Sequence, residues 1–130
     1  MSVHLDAVTA PVIALVLLAI SRAPIGWVPM DADGSPRTPT GRWHNVLAAL
    51  AFASATVGAF VVGVPLSASG NETAARACGL VGWFMTAASA VTIPALSVRA
   101  LRPALGPAER LIYVGMFSWM TIAGIDLLTR

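Results

Sequence analysis

The side chains able to do chemistry in this sequence are few, and most sit where an apolar segment begins. Asp31 and Asp33 form an Asp-x-Asp pair ahead of Gly34. Trp43, His44 and Asn45 precede one apolar run, and Glu109, Arg110 and Tyr113 open another. Glu109 and Tyr113 are four residues apart and share a helical face. A histidine, several carboxylates and an arginine at one mouth of an apolar bundle make an acid–base inventory. Burial would keep a carboxyl protonated, and His44 would serve as base. The catalytic candidates are therefore Asp31, Asp33, His44 and Glu109. An aspartate of the loop is the expected acid, because Glu109 adjoins Arg110 in sequence. Arg110, Tyr113, Trp43 and Trp119 are the candidates for holding a substrate, which an apolar interior would require to be lipid-like or polyene-like.

Each of these residues also has a plainer role. Asp31, Asp33 and Gly34 suit a turn, and His44 suits a helix start. Glu109 complements a helix dipole, and Trp43 and Tyr113 suit an aromatic belt. Asp126, four before Arg130, suits a local ion pair. Metal chemistry has no support: His4 and His44 belong to opposite ends of the bundle outlined below. The single cysteine, Cys78, excludes an internal disulfide and any Cys-x-x-Cys chemistry. Phosphate-binding loops, nucleophile elbows and kinase signatures are absent, so no cofactor and no metal are expected.

The elements that must position these residues follow from composition. The 130 residues are 57% hydrophobic and 11% charged, with a mean hydropathy of +0.79. Soluble domains carry about 25% charged residues. That gap excludes a soluble enzyme and a disordered chain. All eight basic residues are arginines scattered over four segments, so they form no nucleic-acid stripe.

A membrane-spanning helix needs about 20 mostly apolar residues. Val46–Leu66 supplies 21 and Ala77–Val98 supplies 22, both without a charge. Pro107–Leu128 has charges only near its ends, with Gly106 as expected cap and Pro107 as first helical residue. The first segment has a shorter apolar core, Ala10–Ile20. It reaches spanning length only by including Asp6 and Arg22, which can sit at the interfaces. No positive charge precedes that core and no small-x-small site follows, so it is read as a span rather than a signal peptide.

The expected architecture is an all-α, integral membrane four-helix bundle in the cell membrane, one transmembrane domain over 1–130. Helices are expected near 5–23, 44–66, 74–98 and 107–128, with a long loop over 23–43. Small residues recur every four positions at Ala51, Ala55, Ala59 and Gly63, and again at Cys78, Gly82, Thr86 and Ala90. Such stripes let helices approach closely. Pro94 is expected to kink its helix near one interface, and Asn71 to cap the helix after it. Six arginines, Arg22, Arg37, Arg42, Arg99, Arg102 and Arg110, fall at the end that holds the long loop; Arg76 and Arg130 fall at the other. The positive-inside rule makes the six-arginine end cytoplasmic.

The stretch from Gly26, GWVPMDADGSPRTPTGRWHNVLAALAF, resembles the signature of a bacterial multi-pass membrane family catalogued as domain of unknown function nine-nine-eight. Members show a proline before an acidic turn, then glycine and prolines, then a histidine opening a helix. Pro29, Asp31, Gly34, Pro36, Pro39 and His44, followed by Phe52, match that pattern. Gly106, Arg110 and Trp119 match the family's last helix, and the resemblance runs from about Val8 onward. It implies a membrane fold and a site at these positions, but no established reaction. Members commonly have six helices, so a four-helix bundle is expected to close its site with a second copy or a partner membrane protein. Members also carry arginines in the loop matching Ser67–Thr73, which would put the His44 mouth outside. Two functions therefore stand side by side. One is a component that binds membrane lipid, another hydrophobic small molecule or a partner helix. The other is a membrane enzyme performing isomerisation or acid-initiated cyclisation. No nucleic acid is expected as a partner.

Overall fold

The computed structural model describes the backbone of residues 2–32 and 34–129, and side chains from Val8 onward. Five α-helices and two short 3-10 turns make up the described chain: α1 (Ser2–Arg22), a turn over Ala23–Trp27, α2 (Pro39–Val61), α3 (Gly63–Ala68), α4 (Glu72–Ala95), a turn over Arg99–Leu101, and α5 (Arg102–Leu128). No strand occurs among the described residues. The helix α3 continues the path of α2, so four helical rods result, each long and apolar enough to cross a membrane.

The break between α2 and α3 has a local cause. Pro65 has no N–H to give the Val61 carbonyl, and its ring crowds that carbonyl. The ladder resumes with a long Leu66 N–H to Val62 bond of 3.4 Å. A tight reversal then follows α3: Gly70 takes φ +86°, its N–H reaches Ser67 O at 2.9 Å, and the Asn71 N–H reaches Leu66 O at 3.0 Å. This is the paired-carbonyl stop that a left-handed glycine permits. Asn71 caps α4 as expected, accepting from the Ala74 N–H at 3.1 Å.

The core is built from small side chains and the outside from large ones. Ala48, Ala51, Ala55 and Ala59 of α2 are buried, as are Cys78, Met85 and Ala88 of α4 and Ile112 and Trp119 of α5. Ile13, Val16 and Ile20 of α1, Leu80 and Trp83 of α4, and Val114 and Phe117 of α5 are exposed. Lipid tails are as apolar as leucine, so bundles inside a bilayer associate through close backbone approach. A Cβ at Gly58 would lie 2.9 Å from the Trp119 ring, and one at Gly82 would lie 2.9 Å from the Phe60 ring. A Cβ at Gly115 would collide with Met85.

The α2 stripe lies in the core over Ala51, Ala55 and Ala59, and a Cβ added at Gly63 would lie 3.4 Å from the Ala75 carbonyl oxygen. The α4 stripe departs from expectation. Cys78 and Gly82 are buried, but Thr86 and Ala90 are exposed, and the buried line continues through Met85, Ala88 and Thr92. A strict four-residue step advances about 40° per repeat around a 3.6-residue helix, so a four-member stripe leaves the contact face.

Helix bounds also shift. The loop between α1 and α2 narrows to residues 28–38, because the 3-10 turn extends α1 and α2 starts at Pro39, five residues before His44. The last helix begins at Arg102, with Pro103 in its first turn, so Gly106 and Pro107 lie inside it. Pro94 sits one residue before the end of α4 and closes the helix.

Candidate functional site

Thr38 is the N-cap of α2, and its Oγ1 accepts from the Gly41 N–H at 3.0 Å. Asp31 reaches back seven residues to hold that cap. Its Oδ1 accepts the Thr38 hydroxyl at 2.5 Å and its Oδ2 accepts the Thr38 N–H at 3.0 Å. The carboxylate lies against the Cα of Gly41, where any Cβ would collide with it. The Thr38 hydroxyl and then the Thr38 N–H hold the Asp31 carboxyl below its ordinary value of 3.8 against an opposing desolvation, with lesser help from the charges of Arg37 and Arg42. An ionised carboxylate that already accepts two bonds is an anchor for the loop. These bonds favour an anchoring role for Asp31 over the expected one of proton donor. Asp33, the other aspartate of the pair, lies outside the described residues.

The anchored loop walls a cavity of about 280 Å³. Met30, Asp31, Ser35 and Arg37 come from the loop, Gly41 and Asn45 from α2, and Ala95 and Leu96 from the end of α4. Arg102, Leu105, Gly106 and Glu109 come from α5. Arg37 is itself fixed by donating to the carbonyls of Ser97 at 3.2 Å and Leu96 at 3.4 Å, which closes the C-terminal end of α4. Depth follows from helix geometry. The helix α5 enters from this end, so Glu109 lies about 10 Å further in than Arg102 at 1.5 Å per residue. Its 27 residues span about 40 Å, against a hydrocarbon core of about 30 Å. The helix is thus about 10 Å longer than that core, and the cavity lies at the end of the bundle where α5 begins.

Beside the cavity, His44 turns toward the 3-10 turn. Its Nδ1 lies 2.6 Å from Val28 O. A carbonyl only accepts, so Nδ1 carries a proton, and Nε2 is the basic nitrogen of the neutral ring. Arg22 lies over the Tyr113 ring at 5.2 Å, and Tyr113 meets Phe52 edge-on at 5.9 Å. The structure thus brings Asp31 and Glu109 to one cavity, while His44 pairs with Val28 and Tyr113 with Arg22 and Phe52.

The remaining candidates lie elsewhere. Arg110 is exposed on the outer side of α5, one residue past the inward-facing Glu109. Trp43 is 64% exposed and lines a shallow outer depression with Pro39, Arg42 and Val46. Trp119 is buried against Gly58, ten residues deeper than Glu109, and its Nε1 has no hydrogen-bond partner. None of these three lines the cavity. Among the polar cavity residues, Ser35, Arg37, Asn45 and Arg102 escaped the reading of the sequence as site residues. Asn45 follows His44, and its 100° turn around α2 places it on the cavity side; its Oδ1 is buried without a partner.

At the far end Asp126, 7% exposed, accepts from Asn71 Nδ2 at 2.7 Å. The expected partner Arg130 lies outside the described residues. Among the described residues no group of three or more metal-ligating side chains occurs.

The fold and this mouth define a multi-pass membrane protein: a bundle of four apolar rods with a polar cavity at the end that gathers six arginines. The chain belongs to the family described as protein of unknown function (DUF998), whose model matches residues 4–126. Comparison with curated proteins and with solved structures gave no match.

Proposed function

We propose that this protein binds a membrane lipid by its headgroup in the cavity between the Asp31 loop, α2, α4 and α5. The supporting observation is the cavity itself. It lies at the arginine-rich end of the bundle, joins apolar walls (Ala95, Leu96, Leu105) to polar groups (Asn45, Arg37, Glu109), and is bordered by helices whose outer faces are apolar. Gly106 offers a direct test. A Cβ there meets nothing within 4 Å, and the residue lines the cavity. Gly106→Leu should therefore fill the site without a clash, and replacing a helical glycine should hold or raise stability by up to about 1 kcal/mol. Native mass spectrometry of protein extracted in mild detergent should show bound lipid on the wild type and its loss on Gly106→Leu, at an unchanged or higher melting temperature. Equal lipid retention by the two proteins would refute headgroup binding here.

A second reading, proton transfer to a bound lipid-soluble substrate, draws support from one arrangement: Glu109 lines the cavity together with Asn45, the sequence neighbour of His44. In that reading Glu109 rather than Asp31 is the acid and His44 Nε2 the base. Its test is chemical conversion of lipids incubated with the wild type, set against Glu109→Gln and His44→Ala. Identical lipid profiles in all three would leave only binding.

A further inference from the structure

The outer face of α2 has an order of its own. Pro39, Arg42, Trp43 and Val46 follow one another at helical intervals and line a shallow depression of about 380 Å³. Arg42 is exposed, and among the described residues no hydrogen bond or ion pair holds its guanidinium. Trp43 beside it is exposed as well. The same face continues through Val46, Leu50, Ala53 and Val57, all exposed, and no charge follows Arg42 in the chain until Glu72. A side chain as long as arginine, at the rim of an apolar helix, carries its guanidinium to the headgroups, and indole rings favour the same layer. Asp31 is the carboxylate that the Arg42 charge helps to hold ionised. Both its oxygens are taken by Thr38, and it lies against Gly41 in the lining of the other cavity. The mouth as a whole gathers six arginines against Asp31, Asp33 and Glu109, so its field is positive. An unshared guanidinium above an apolar track complements a phosphate that carries its own hydrocarbon chain.

We propose that this face holds a phospholipid of net negative charge, its phosphate at Arg42 beside the Trp43 ring and a chain along Val46, Leu50, Ala53 and Val57. The site shares no lining residue with the cavity and does not depend on what the cavity holds. The guanidinium fork meets a phosphate through two parallel N–H···O bonds. Charge selects the headgroup, whereas the apolar track accepts any chain, since van der Waals contact with hydrocarbon is not selective.

The experiment offers delipidated protein equal amounts of phosphatidylglycerol and phosphatidylcholine and reads the retained lipid by native mass spectrometry. The wild type should prefer phosphatidylglycerol, and Arg42→Gln should lower that preference about fivefold, the worth of one arginine charge near a membrane surface. Its melting temperature should not change, because the side chain is exposed and holds no partner. Arg99→Gln removes another exposed arginine from the same end and should leave the preference in place. Gly106→Leu separates this site from the cavity: with the cavity filled, the preference should persist, and adding Arg42→Gln should lower it as before. An equal fall in Arg99→Gln would make the attraction a property of the whole mouth and overturn the site. Loss of the preference in Gly106→Leu alone would place the anionic lipid in the cavity and overturn it too. A preference indifferent to Arg42→Gln overturns the proposal, and a change of oligomeric state in that variant would then give the face to a second copy of the chain.

Discussion

Asp31 shows how one hydrogen-bonded turn converts a candidate acid into an anchor. Its type and position suggested proton donation; its two bonds from Thr38 make it an acceptor. Thr38→Ala should cost about 1 kcal/mol through loss of the α2 cap, measurable as a lower melting temperature. Asp31→Asn should loosen the same turn, seen as faster amide exchange over residues 38–42. Gly41→Ala should reproduce that loosening with Asp31 intact, because its Cβ occupies the carboxylate's place. Slow exchange in Gly41→Ala would contradict the packing described. The pH dependence follows the direction of the shift. Asp31 is held below its ordinary 3.8, so its contribution is present above the unfolded value and is lost as pH falls through the lower folded value. Loop exchange protection should therefore be flat from about pH 5 to 8 and fail only in stronger acid. Spacing could not reveal the Asp31–Thr38 bond, since seven residues of irregular chain have no fixed geometry. Asn45 stands one helical step from His44 and lines the cavity, but nothing in its type or spacing marked it in the sequence.

At the scale of elements, apolar length and proline position carried most of the information. The charge-free runs after Asn45 and before Arg99 become α2–α3 and α4, and Pro65 and Pro94 lie beside the break and the end that the backbone shows. The start of α5 was less legible, because Pro103 and Pro107 are equally good first-turn residues and the sequence holds both. The side-chain contacts explain which small residues matter. Ala55 is 2% exposed in the core of the bundle, and Ala55→Leu should destabilise by about 1–3 kcal/mol through overpacking. Gly115→Ala should destabilise as well, since its Cβ meets Met85, whereas Gly79→Ala faces open space and should be neutral or stabilising by up to about 1 kcal/mol. Thermal melts in one detergent would rank the three. A harmless Gly115→Ala would mean that α4 and α5 are not in the contact described.

For the molecule as a whole, the sparse charges and the small-inside, large-outside distribution agree on a bilayer as solvent, and the topology collects the loop, Arg22, Arg37, Arg42, Arg99, Arg102 and Arg110 at one end. By the positive-inside rule a reporter fused at the C-terminus should be extracytoplasmic; a cytoplasmic reporter would favour the opposite orientation suggested by the family's arginine pattern. What the sequence could not convey is the cavity, since it is assembled from four separate segments by the path of the loop. Its occupancy is the central claim, and thiol labelling addresses it directly. Cys78 is fully buried, and Cys78→Ala leaves a background without thiols. In that background Leu105→Cys places a thiol on the cavity wall, and Ala32→Cys places one on the exposed loop. A water-soluble maleimide should label both in delipidated protein, and added lipid should protect position 105 while leaving position 32 reactive. Labelling of position 105 that is indifferent to lipid, or equal protection at both positions, would contradict a lipid-holding mouth.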